Sequence, residues 1–150
     1  MSDLADLAAK DEIARCIHDL FIGTDQRNWP KVQGCFAGTV HFDMTSLAGG
    51  KPQQMTPKDI VRAWEAGLKP IEHLHHQTGN LQISVQGRSA TAFCYGIALH
   101  HRKTKSGNDV RRFVGSYDFG LERAPRGWLV RAFRFSARFV DGNLSLESAP

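Results

Sequence analysis

The stretch TAFCYGIALHH, residues 91–101, decides the fold. Its odd positions are bulky (Phe93, Tyr95, Ile97, Leu99), and its even positions are small (Ala92, Cys94, Gly96, Ala98). A period of two belongs to a strand with two unlike faces. A small-residue face has two physical uses. It keeps volume open for a ligand, or it lets a helix approach the sheet closely. At this point both remain open.

The same period extends in both directions. Strand patterns run over residues 72–86, 89–102, 109–123 and 127–139, with VQGRSA and ERAPRGW as hairpin connections. Upstream the period changes. Ile13, Ile17, Leu20, Phe21 and Thr24 recur at helical spacing over residues 10–27, and SDLADLAA before them predicts a further turn or two with a break near Asp11. NWPKVQGCF reads as a short second helix capped by Asn28, TVHFDM as a strand and AGGKPQQ as a loop. TPKDIVRAWEAGLK reads as a third helix with Thr56 as its cap and Pro57 in its first turn. Helices and one strand followed by a four-strand antiparallel meander describe one α+β domain over residues 1–150. In it a strongly curved sheet wraps the long first helix.

Composition narrows the class. The chain has 150 residues, 41% of them hydrophobic and 23% charged, as in an ordinary soluble domain. No apolar run approaches the roughly 18 residues of a membrane span. The acidic start, MSDLADLAAKDE, is unlike a secretory leader, so a cytoplasmic protein is expected. Cys16, Cys35 and Cys94 are odd in number and far apart, which suits reduced, buried thiols. The net charge of +4 includes five cations in HHRKTKSGNDVRR, residues 100–112. With no interleaved aromatic, that run reads as a solvated hairpin tip, and neither nucleic acid nor a membrane is expected as a partner.

Asp25 is the residue out of place. It continues the i, i+4, i+8 row of Ile17 and Phe21, so a helix that persists this far aims a carboxylate into the core. A buried carboxylate needs a donor. In the other reading Asp25 sits beyond a frayed helix end and caps the next helix. Histidine is the natural donor, because an Asp bonded to one ring nitrogen fixes the tautomer and supports charge on the ring. HLHHQTGN, residues 73–80, offers three histidines. Alternation sets His73 and His75 on one face and His76 on the other with Leu74; only one set can face inward. His73 and His75, with Glu72 or His101, also have the residue types of a metal site, but no third ligand has a recognisable spacing and no metal is expected.

LFIGTDQRNW, HHQTGN and GSYDFGLER with the following GW resemble the SnoaL-like branch of the nuclear transport factor 2-like superfamily. Within it the pattern is most similar to scytalone dehydratase and hexachlorocyclohexane dehydrochlorinase. The resemblance covers nearly the whole chain. It implies a cone-shaped α+β barrel of the cystatin-like type, a closed apolar pocket, assembly as a homo-oligomer (trimer or dimer), no cofactor, and an Asp25–His76 dyad. The dehydratase pattern also has a histidine on the following strand, where ALHH stands here; alternation selects His100 over His101. Departures are as informative. Leu20 stands where the dehydrochlorinase carries a long polar side chain, and Thr24 where the dehydratase has tyrosine.

The expectation is a cofactor-independent lyase, of dehydratase type or a dehydrohalogenase, acting on a small cyclic apolar substrate. His76 removes a C–H proton, and His100 protonates or hydrogen-bonds the departing group. Tyr117 is a candidate phenol donor, with Phe42, Trp64 and Cys94 as pocket walls. Arg134 is a candidate anchor for an anionic or carbonyl group. The alternatives are a non-catalytic small-molecule binder or scaffold of the same fold, and a ketosteroid-type isomerase.

Overall fold

The computed structural model describes residues 2–150. Helix α1 spans Ser2–Asp25 without the expected break. Asp11 does not interrupt it because the i, i+4 ion pairs Asp6–Lys10 (2.7 Å) and Asp11–Arg15 (2.5 Å) carry the exposed face straight through that region. Ile13, Ile17 and Leu20 are fully buried on the opposite face.

The end of α1 is set by its backbone. The amide of Asn28 donates to the Gly23 carbonyl at 2.8 Å and that of Arg27 to Thr24 at 3.0 Å, with Arg27 left-handed at φ 54°. This is a Schellman-type stop with an arginine in the glycine position. The Arg27 side chain offsets that strain by donating to the carbonyls of Leu68, at 3.1 Å, and of Ile71. Asn28 then caps α2 (Trp29–Gly34), accepting from the Lys31 amide.

Strand β1 (Phe36–Asp43) follows, then a single-turn α3 (Thr45–Ala48) ahead of the stretch expected as plain loop, whose end is taken into a short β2 (Gln53–Met55). Helix α4 spans Pro57–Leu68 with Thr56 as its cap. The meander is β3 (His73–Gln86), β4 (Ser89–His101), β5 (Val110–Ala124) and β6 (Gly127–Gly142). The sheet runs β2-β1-β6-β5-β4-β3, antiparallel except for the parallel β1–β6 pair. The barrel implied by the resemblance is therefore an open cone. β2 and β3 remain edges, and α1 packs along β3 and β6. Among the described residues no helix is long and apolar enough to cross a membrane.

β3 contains a device that alternation alone does not reveal. Between Gly79 and Gln82 the register against β4 slips by one residue, and Asn80 is left-handed at φ 55°. This β-bulge reverses the parity of the strand: Leu74, His76 and Thr78 are the less exposed residues before it, and Leu81, Ile83 and Val85 after it. Asn80 thus sits within a continuous strand, where it kinks the backbone without turning it.

The small face of β4 keeps open volume at one position and admits a side chain of the neighbouring strand, in place of a helix, at another. Ala98 opens on a cavity, whereas Gly96 makes room for an aromatic ring. A Cβ at Gly96 would lie 2.2 Å from Cε2 of Tyr117. Gly96→Ala should therefore cost about 1–3 kcal/mol of stability, measured by urea unfolding; an unchanged midpoint would mean that Tyr117 does not occupy that space.

Candidate functional site

The carboxylate of Asp25, the last residue of α1, faces the edge strand β3. His76 Nδ1 lies 2.6 Å from its Oδ1, and the His76 backbone N–H donates to its Oδ2 at 2.8 Å. That amide is free because β3 has a sheet neighbour on only one side. A helix C-terminus is an unfavourable place for a carboxylate, and the two donors from His76 compensate. An ionised carboxylate only accepts hydrogen bonds, so Nδ1 carries the ring proton and Nε2 keeps its lone pair. Asp25 does not cap α2; Asn28 does.

His76 lines a cavity of about 490 Å³, within the range of small-ligand pockets. The floor is aromatic: Phe21 stacks on His76 at 5.5 Å and packs at a tilt against Tyr117 at 4.7 Å, with Phe133 and Phe135 beyond. Leu47, Ala48, Ala63 and Gly67 are the exposed lining residues, so the mouth lies between α3 and α4. The Thr24 hydroxyl also faces this wall, but it donates to the Leu20 carbonyl at 2.8 Å.

His100 enters the same cavity from β4, its ring 6.5 Å from that of His76. Its environment gives it the opposite character. Burial, and then the neighbouring Arg111 charge, hold its pKa down to about 4, so it is neutral at pH 7. Arg111 Nη2 donates to His100 Nδ1 at 3.2 Å, which leaves the ring proton on Nε2. His76 presents an acceptor nitrogen, and His100 presents a donor.

Arg111 is the residue that the sequence reading missed, having been counted among the cations of a solvated turn. It is buried, it lines the cavity, and it is ion-paired to Glu147, whose carboxyl it holds below the usual range. The signal was present: Arg111 shares the parity of Phe113, Tyr117 and Phe119 on β5. The C-terminal segment that supplies Glu147 is clamped in place. Leu146 is fully buried, and Arg102 Nη1 donates to the carbonyls of Leu146 (2.8 Å) and Ala149 (2.6 Å).

The other expected site residues divide. Tyr117 and Trp64 line the cavity, and burial pushes the Tyr117 phenol up so that it stays protonated. Phe42 does not; it stacks on Phe133 at 5.3 Å and backs the wall instead. Cys94 is a core residue in register with Tyr117, its thiol pushed up to about 11 by burial. Arg134 faces outward and pairs with Asp118 at 3.0 Å, because Phe133 and Phe135 take the inward positions of β6. Of the remaining histidines, His73 and His75 lie on the exposed face.

The model of the SnoaL-like domain matches residues 5–134. The chain belongs to the SnoaL-like family. This family is a branch of the nuclear transport factor 2-like superfamily, as its fold indicates. No curated protein sequence matches this SnoaL-like chain. Among solved structures, the Kfla4162 protein of Kribbella flavida is similar, with TM-score 0.90 and 20% identity over 96% of this chain and 99% of that one. A candidate scytalone dehydratase from Novosphingobium aromaticivorans has TM-score 0.81 and 14% identity, covering 94% and 91%. The hexachlorocyclohexane dehydrochlorinase LinA-type3 of Novosphingobium barchaimii has TM-score 0.77 and 16% identity, covering 99% of both. At these identities the likeness is one of fold.

A histidine whose folded pKa lies below its unfolded value resists a proton that the unfolded chain accepts. Stability should therefore be lost as pH falls from about 6.5 toward about 4, the interval between the two His100 values. In urea unfolding followed across that range, His100→Asn should flatten the slope. An identical slope would mean that His100 is not held neutral.

Proposed function

We propose that this SnoaL-like protein is a cofactor-independent lyase of the dehydratase type, acting on a small cyclic, largely apolar substrate. The reading rests on one observation: the His76 ring, 2.6 Å from Asp25, opens its other nitrogen on an aromatic-floored cavity. In the reaction His76 Nε2 takes a proton from an acidic C–H, and the electron pair forms the new double bond as the C–O bond breaks. The imidazolium, supported by Asp25, returns its proton to the departing hydroxyl, which leaves as water.

The sequence expectation gave His100 either proton donation or hydrogen bonding. With Nδ1 occupied by Arg111, losing Nε2–H would leave an imidazolate. We therefore assign His100 the hydrogen-bonding role, toward the leaving hydroxyl or an adjacent carbonyl whose developing charge Arg111 supports. Leu20, fully buried in place of a polar side chain, argues against halide as the leaving group.

A ketosteroid-type isomerase would use the same base, and the protonated Tyr117 phenol in the cavity favours keeping this second reading. A homo-oligomer, trimer or dimer, belongs to the same proposal, supported by exposed Tyr95, Ile97 and Phe139 on the outer sheet face.

Cyclic hydroxyketones assayed for water loss test the proposal. His76→Gln should lower kcat by about 10²–10⁴ while the fold is retained, as judged by circular dichroism. Unchanged turnover would remove His76 from the mechanism. A shifted double bond without loss of water would select the isomerase.

A further inference from the structure

We infer that the outer face of the β3–β4 hairpin carries a divalent transition-metal site, formed by Glu72, His73 and His101 and suited to Zn²⁺. Sequence spacing could not reveal it, because its third ligand arrives through strand register. His73 and His101 are directly opposite in the antiparallel pair, with ring centroids 5.4 Å apart. Facing residues share a sheet face, here the one opposite His76 and His100. The Glu72 amide donates to the His101 carbonyl at 3.0 Å, which fixes Glu72 beside the histidine pair. One ligand atom from each of the three lies within 4.8 Å of the other two.

Two imidazoles and a carboxylate form a donor set that zinc accepts, with water completing the shell. Tetrahedral ligation at about 2.0–2.1 Å brings ligand atoms roughly 3.3–3.5 Å apart. Closing to that distance falls to the side chains of Glu72 and His73, both of which are exposed.

A second observation points to a missing partner: His101 Nδ1 is buried and makes no hydrogen bond. An unmet imidazole nitrogen is costly, and a metal ion is one way to satisfy it. The carboxylate is also oriented from outside, since the Lys103 amide donates to Glu72 Oε1 at 3.2 Å and leaves the other oxygen free of that bond. The nearby cations are engaged elsewhere: Lys103 Nζ with Asp109 at 3.6 Å, and Arg102 with the C-terminal carbonyls. The ion would staple the free edge strand β3 to β4, so its effect is on stability, independent of the lyase reading.

The test uses tag-free, chelator-stripped protein titrated with ZnCl₂ by isothermal calorimetry and by thermal unfolding. The wild type should bind one ion per chain and unfold at higher temperature. His73→Ala and Glu72→Gln should abolish saturable binding and the rise in Tm. His75→Ala, on the same face but outside the group, should retain both. No saturable binding by the wild type, wild-type isotherms from His73→Ala, or equal loss in His75→Ala would each overturn the site.

Discussion

The structure depends on one carboxylate meeting one residue 51 positions later: Asp25 accepts from both the ring and the backbone of His76. The two bonds do different things. The backbone bond fixes where the end of α1 meets the free edge of β3, and the ring bond fixes which nitrogen of His76 remains basic. Much of the local structure serves this meeting. The Schellman-type stop at Arg27 places Asp25 in the last helical turn, and the Asn80 bulge lets β3 present His76 inward without losing the inward row of Leu81, Ile83 and Val85.

Two imidazoles in one cavity are made unlike by what stands behind them. His76 is backed by an anion and keeps an acceptor for the substrate; His100 is backed by a cation and keeps a donor. No group of unusual chemistry is needed for this division of labour. It follows from donors and acceptors placed so that each ring has one available tautomer. The Arg111 charge, costly in an apolar wall, is balanced by Glu147 from a tail that Leu146 and Arg102 lock down. The C-terminal segment is thus part of the electrostatics of the site.

Much of this was legible in the sequence, because periodicity reports which face a residue takes. The 17, 21, 25 row aims Asp25 inward, and the even positions of β4 do the same for Ala98 and His100. Errors arose where a local pattern was read without its surroundings. Arg134 shares a parity with Ala132, yet Phe133 and Phe135 claim the interior of that strand and turn the arginine outward. The charged neighbours of Arg111 suggest a solvated turn, whereas the parity of β5 places it inside. Asp11 reads locally as a break, yet its pairing with Arg15 supports the helix. The β3 bulge and the Glu72–His73–His101 group depend on register between strands, which a single sequence does not encode locally.

The central claim concerns a proton position, and it can be observed without a substrate. In ¹⁵N-edited NMR of histidine-labelled protein, the neutral His76 ring should be the Nδ1–H tautomer, with its Nδ1 proton shifted far downfield by the Asp25 carboxylate and that signal lost in Asp25→Asn. An Nε2–H tautomer for His76, or a spectrum indifferent to Asp25→Asn, would contradict the account.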